Sequence, residues 1–193
     1  MSSYAIDYGA RLLLFDPLSV PDELLELAAD RETVVVLTAP WHERETQSLV
    51  ERLGAPVFVP PPDTADDLVR KYGITLEQAA GGSPDVAWLL AGGGGEAHLY
   101  AAGDRLPIGI EAFPGRERND LVLWIASRRA VVAGDALVDF GRGLEIPQEW
   151  LTKGVTREQV VEGLLPLLAL PVEVVLPAHG APTDRAALER ALS

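Results

Sequence analysis

Short runs of Val, Ile and Leu alternate along the chain with segments whose apolar residues recur at helical spacing, which is the pattern of a mixed α/β domain. Arg11–Phe15 (RLLLF) and residues 33–37 (TVVVL) read as buried strands. Between them Val20-Pro21-Asp22-Glu23 opens a helix that runs to Ala29. Pro21 suits the first turn of a helix, where its missing N–H leaves no acceptor unserved. Within residues 44–53, Leu49, Val50 and Leu53 lie at helical spacing and Gly54 offers a C-terminal stop. Residues 56–59 return as a strand. Pro60-Pro61-Pro62 then breaks the chain, and Asp63-Thr64 supplies caps for a short helix over residues 65–71 that ends near Gly73. Residues 74–84 carry no clear period. From Asp85 the pattern is that of a strand meander over residues 86–90, 97–101, 108–113, 121–126 and 130–133, with turns at residues 92–95 and at Gly103-Asp104. Thr156 and Gln159 form a capping-box pattern in front of Val160, Val161, Leu164 and Leu165, and Pro166 should shorten that helix. A last strand over 172–176 and a last helix over 184–192 complete two halves, each a set of strands followed by helical cover.

Composition narrows the options. The 193 residues, 48% of them hydrophobic, suit one domain spanning residues 1–193 with a substantial core. The 16 Lys and Arg against 29 Asp and Glu leave a formal charge of −13, which repels phosphate backbones and anionic membrane surfaces, so neither nucleic acid nor a membrane is expected as a partner. The acidic residues are spread along the chain, at Asp22-Glu23, Asp63, Asp66-Asp67 and Glu111, as in a solvated surface. With 0 cysteines there is no disulfide framework, thiolate metal site or cysteine nucleophile. No apolar run approaches the roughly 18 residues of a membrane span, and no basic stretch precedes an apolar one at Met1, so a cytoplasmic location is expected.

Polar residues interrupt the chain directly after a buried strand in three segments, where side chains converge on one edge of a sheet: residues 38–46 (TAPWHERET), Gly134-Asp135-Ala136-Leu137 and Pro177-Ala178-His179-Gly180. Phe113-Pro114-Gly115-Arg116 ends a meander strand in the same manner. Gly92-Gly93-Gly94-Gly95 lacks the spacing of a phosphate loop and reads as a hairpin turn. Ser83 and Ser127 have no histidine beside them, and His98 reads as a sheet-face residue.

The order and surroundings of the four segments resemble the metallo-β-lactamase fold superfamily over nearly the whole chain, with residues 6–16 as the strand pair before the first site loop. The resemblance implies an αββα sandwich. It also implies a hydrolytic two-metal site held by a His-x-His-x-Asp-His loop, a Pro-Gly-His, a Gly-Asp and a Gly-His-Gly. With Thr38 in the place of the threonine before the first loop, the family's ligand positions fall on Ala39, Trp41, Glu43 and Arg44, and the Pro-Gly-His reads Pro114-Gly115-Arg116. Asp135 and His179 stand unchanged.

Without metal, Glu43 and Asp135 would lie close together and partly desolvated, which is costly unless positive charge replaces the cations. Arg44 and Arg116 are therefore expected to fill the site in an Arg–carboxylate network, with Arg44→Met costing about 3–5 kcal/mol. The leading reading is a metal-depleted relative of the hydrolases, a pseudo-enzyme or remnant enzyme without cofactor. In it Glu43 and Asp135 are the candidate catalytic carboxylates, and Arg44, Arg116 and Trp41 receive a small, anionic molecule. A second reading turns His42 inward to join Asp135 and His179 around one zinc, manganese or iron ion. The protein would then be a hydrolase of an ester, thioester or amide, with Glu43 or Asp135 taking the proton. A third reading is a structural interaction protein with an exposed apolar patch.

Overall fold

Alternation along the buried strands sends successive side chains to opposite faces, and in this protein each face meets a different layer. The structure, a computed structural model, describes residues 1–92 and 94–193. Its elements in chain order are β1 (Tyr4–Asp7), β2 (Arg11–Phe15), α1 (Asp22–Ala29), β3 (Glu32–Val36), α2 (Thr46–Leu53), β4 (Val57–Val59), α3 (Ala65–Tyr72), α4 (Ala87–Leu90), β5 (Ala97–Leu99), β6 (Arg105–Leu106), β7 (Ile110–Glu117), β8 (Asp120–Ile125), β9 (Ala130–Gly134), α5 (Arg157–Leu164), β10 (Val174–Pro177), β11 (Thr183–Asp184) and α6 (Arg185–Ala191). One sheet has the order β1-β2-β3-β4-β5 and the other β11-β10-β9-β8-β7-β6. In the first, β2 through β5 run parallel. In the second, β9 and β10 are the parallel pair.

Leu13 and Phe15 of β2 join Val34 and Val36 of β3 against Leu121, Leu123 and Ile125 of β8, forming the core between the sheets. The alternate residues Leu12, Leu14, Val35 and Leu37 face outward onto Ala28, Leu49, Val50 and Leu89 of α1, α2 and α4. On the far side, Val122, Trp124, Val131 and Val175 pack against Val160, Leu164, Ala187 and Leu188 of α5 and α6. The layers are therefore α, β, β, α, as expected from the sequence.

Local chemistry explains most helix limits. Reciprocal side-chain and main-chain bonds between Thr64 and Asp67, and between Thr156 and Gln159, start α3 and α5. Gly73 closes α3 in a left-handed conformation. Pro166 lies in the 3-10 turn Leu165–Ala169 that takes over where α5 stops. Arg44 has φ of +37°, so α2 starts at Thr46 rather than at residue 44. The run 86–90 is a turn of helix, not a strand: Val86 adopts φ of +52° and its N–H is held by the Glu43 carboxylate. β5 consequently does not pair with it but lies parallel to β4, and the glycine run from residue 92 links α4 to β5 rather than closing a hairpin. Gly93 of that run lies outside the described residues.

The ends of β3, β9 and β10 come together at one edge. Gly134, with φ of +53°, allows it: a Cβ there would lie 2.8 Å from Thr38 Oγ1. The Leu121 N–H donates to the Thr38 carbonyl at 2.9 Å and ties the two sheets at the same point.

Candidate functional site

Thr38 leaves β3 with its N–H donated to Asp16 Oδ1 at 2.8 Å and its hydroxyl to Asp16 Oδ2 at 2.7 Å. The 3-10 turn Pro40–His42 follows and buries the imidazole of His42. His42 Nδ1 lies 3.0 Å from Thr38 Oγ1 and 3.2 Å from Asp16 Oδ2, and Nε2 lies 3.3 Å from Asp135 Oδ2. The Trp41 indole N–H donates to that same Asp135 oxygen at 3.2 Å. Arg116 reaches it from the other side. It stands where the β7–β8 register shifts between Pro114 and Glu117, next to Gly115, whose missing Cβ would sit 2.3 Å from the Asp120 carbonyl. Arg116 Nε donates to Asp120 Oδ2 at 2.7 Å, Nη1 to the Trp150 carbonyl at 3.1 Å and Nη2 to Asp135 Oδ2 at 3.5 Å.

Burial alone would favour a neutral His42, but the Asp16 charge and the bonds to Asp135 and Asp16 outweigh it and push the pKa up to about 10. The two carboxylates thus favour the imidazolium form of His42. Burial works against the charged form of Asp135 as well, yet the His42 bond and charge, Arg116 and the Trp41 N–H hold its pKa at about 2. Asp120 is raised by its complete burial, against the pull of Arg116. His179 behaves oppositely to His42: burial lowers its pKa in spite of Asp135.

Several expected site residues do not converge. Glu43 Oε2 accepts the Val86 N–H at 2.6 Å and the Trp88 indole N–H at 3.2 Å, so this carboxylate fixes α4 rather than facing Asp135. Arg44 Nη1 donates to the main-chain oxygen of Asp16 at 3.1 Å and pairs with neither Glu43 nor Asp135, because its positive φ turns it off the helical path. The expected arginine–carboxylate network therefore exists with Arg116 in it and Arg44 outside it, and His42 supplies the second cation. Ser83 bonds Asp85 and Ser127 bonds Tyr8, so neither is set against a histidine.

His42, Asp135 and His179 do come together, with His179 Nε2 3.6 Å from Asp135 Oδ1. The trio does not fit a metal ion. A metal ligand needs a neutral imidazole with a free lone pair, and both nitrogens of His42 are committed to carboxylates. Arg116 brings its own positive charge to Asp135. Among the described residues no group of three or more His, Cys, Asp or Glu side chains is placed to hold a metal.

Beside Arg116 opens a cavity of about 350 Å³, lined in part by Trp41, Lys71, Tyr72, Arg116, Glu117 and Trp150. Lys71 Nζ sits 4.8 Å above the Trp41 ring and donates to both oxygens of Asp63 (2.8 and 3.0 Å) and to Asn119 Oδ1 at 3.3 Å. Glu117 Oε2 accepts from Arg70 at 2.9 Å. Trp150 meets Phe140 and His179 edge-on, with ring centroids 5.5 and 5.1 Å away. Sequence reading missed Asp16, Asp120, Lys71, Glu117 and Trp150. Asp16 alone carried a usable signal, being a carboxylate directly after a buried strand.

No protein-family model matches the sequence, and no curated protein matches it significantly. Solved structures do match, and they share one architecture. A di-iron-bound form of the protein TTHA1623 is 25% identical, with 98% of this chain and 92% of that one covered and a TM-score of 0.63. ST1585 from Sulfolobus tokodaii, an archaeal metallo-beta-lactamase superfamily protein, is 17% identical over 98% of this chain and 78% of its own, with a TM-score of 0.65. The B3 metallo-beta-lactamase BLEG-1 is 15% identical over 97% and 90%, with a TM-score of 0.62. The chain has the metallo-β-lactamase fold. No helix among the described residues is long and apolar enough to cross a membrane.

Proposed function

We propose that this protein is a metal-independent member of the fold, a pseudo-enzyme that binds a small molecule in the cavity beside Arg116. The observation that carries the reading is the double cationic cover of Asp135: His42 at 3.3 Å and Arg116 at 3.5 Å share one carboxylate oxygen. In such an arrangement protein cations supply the positive charge at Asp135, whereas the similar protein TTHA1623 takes a di-iron-bound form. A metal entering here would have to displace an imidazolium and a guanidinium, each already paired, and would find too few free donors. The neighbouring cavity, at about 350 Å³, is of the size that takes a small ligand, and its aromatic walls suit one.

Elemental analysis tests this directly. Untagged protein, purified without chelator and incubated with zinc, manganese or iron(II), should retain well under one-tenth of an equivalent after desalting. Near-stoichiometric retention would overturn the proposal and favour a mononuclear hydrolase instead, to be followed by ester and thioester hydrolysis with and without chelator.

A further inference from the structure

We infer that the occupant of this cavity is a neutral, planar molecule that presents a carbonyl oxygen or ring nitrogen as a hydrogen-bond acceptor on an aromatic body. The inference rests on the proposed role of the cavity as a ligand site and adds the chemical class of the ligand. Its starting point is a set of donors without acceptors. A guanidinium carries five N–H groups; that of Arg116 spends three, on Asp120, the Trp150 carbonyl and Asp135, which leaves two. Arg116 lines the cavity with only 7% of its side chain exposed, so the cavity is where those two N–H groups can find an acceptor. The Trp150 indole N–H, a donor only, also has no partner among the described residues. The hydroxyls of Tyr72 and Thr152 on the same wall are likewise uncommitted.

Acceptors on the wall are covered or sealed. Glu117 Oε2 accepts from Arg70 at 2.9 Å and has the Lys71 ammonium 4.0 Å away. Both oxygens of Asp63 take that same ammonium. The second oxygens of Glu117, Asp120 and Asp135 are buried out of reach of a molecule in the cavity. A ligand N–H therefore gains little here, whereas a ligand acceptor meets donors whose bonding capacity is unused.

Charge separates a neutral acceptor from an anionic one. Each cation of the wall already has its carboxylate, Arg116 with Asp120 at 2.7 Å and Lys71 with Asp63 at 2.8 Å. Behind Arg116, His42 stands between two more, Asp16 and Asp135. Glu149 adds a negative charge at the exposed rim, without an ion partner among the described residues. The net charge of −13 further depletes anions around the entrance. An anion would have to lie beside these carboxylates or displace one of them, so a neutral dipole is favoured over the small anion expected from the sequence. Trp41, Tyr72 and Trp150 supply aromatic walls for a flat body.

Acetophenone, benzylamine and benzoate share a benzene ring and present, in turn, a neutral acceptor, a cationic donor and an anion. Titration of 15N-labelled protein, followed at the indole N–H signals of Trp41 and Trp150, should show acetophenone binding about tenfold tighter than benzylamine and about threefold tighter than benzoate. Arg116→Lys keeps the charge but has no N–H to spare once Asp120, Asp135 and the Trp150 carbonyl are served, and should bring acetophenone down to the level of benzylamine. Glu149→Gln, at an exposed position, should tighten benzoate about twofold with acetophenone unchanged, and keeps the test valid if the Arg116 variant folds poorly. Benzoate or benzylamine binding as tightly as acetophenone would overturn the assignment while upholding the cavity as a ligand site. So would an acetophenone preference that survives Arg116→Lys, or a benzoate affinity that Glu149→Gln does not raise. Absence of any response to all three probes would overturn the ligand site itself, and metal retention is measured separately.

Discussion

The two halves of the chain build opposite sides of one cleft, and they differ in how firmly backbone geometry dictates their side chains. In the second half, Gly134 and Gly180 stand where a Cβ would come within 2.8 Å of Thr38 Oγ1 and of Asp139, both at positive φ. Asp135 and His179, their neighbours, are the site residues that still match the family pattern. In the first half, the turn Pro40–His42 and the residues after it contain no glycine, and Trp41, Glu43 and Arg44 stand where the resemblance implies ligands. The comparison teaches that close main-chain contacts fix where Asp135 and His179 stand, whereas the first loop leaves its side chains free to differ. Arg116 shows both behaviours: Gly115 beside it has no room for a Cβ, while its own guanidinium reaches Asp120 and Asp135.

The sharpest way to break this contrast is to remove Arg116, the cation that bridges the halves. Arg116→Met leaves Asp120 buried without its ion partner and Asp135 with His42 alone, and should cost about 3–5 kcal/mol in denaturant unfolding. A loss below about 1 kcal/mol would show that the cluster contributes no net stability.

His42 offers a smaller and more graded test through pH. Its folded pKa of about 10 lies above the ordinary histidine value of 6.5. Its contribution is therefore complete below pH 6.5 and is lost as pH rises through 10, at no more than about 1.4 kcal/mol per pH unit. Asp135, lowered to about 2 from 3.8, works in the other direction: its contribution is complete above pH 3.8 and disappears as pH falls through 2. The His42–Asp135 pair contributes to both shifts, and Asp16 adds to that of His42. Unfolding measured from pH 5 to 10 should show declining stability above pH 6.5, and His42→Gln should be less stable at pH 6 but flatter across the range. An equally steep decline in the variant would assign the pH dependence to other groups.

Much of this arrangement was legible in the sequence where local rules act alone. The buried apolar runs of β2 and β3, the caps at Thr64 and Thr156 and the stop at Gly73 depend on neighbours in sequence, and the structure repeats them. The run 86–90 was misread because a few apolar residues suit a strand and a helical turn equally; the Glu43 carboxylate, 43 residues away, decides it. Asp135, Arg116, Trp41 and His179, which lie together in the structure, were singled out through the resemblance. Lys71 and Glu117 were not, since their roles arise only when α3 packs beside β7 and Asp63 and Asn119 close around the ammonium.

Arg44 sharpens the comparison from the quiet side. The sequence expectation gave it the same weight as Arg116, yet its one hydrogen bond of ordinary geometry goes to the main-chain oxygen of Asp16, and its other contact is Met1 Sδ at 3.7 Å. No buried carboxylate depends on it. A partly exposed guanidinium bonded to a carbonyl contributes about 1 kcal/mol or less. Arg44→Met should therefore shift stability by no more than about 1 kcal/mol, well below Arg116→Met measured in the same buffer. Comparable losses from the two variants would mean that Arg44 supports the His42–Asp16 pair through the Asp16 main chain, and that the first half of the cleft is as firmly tied as the second.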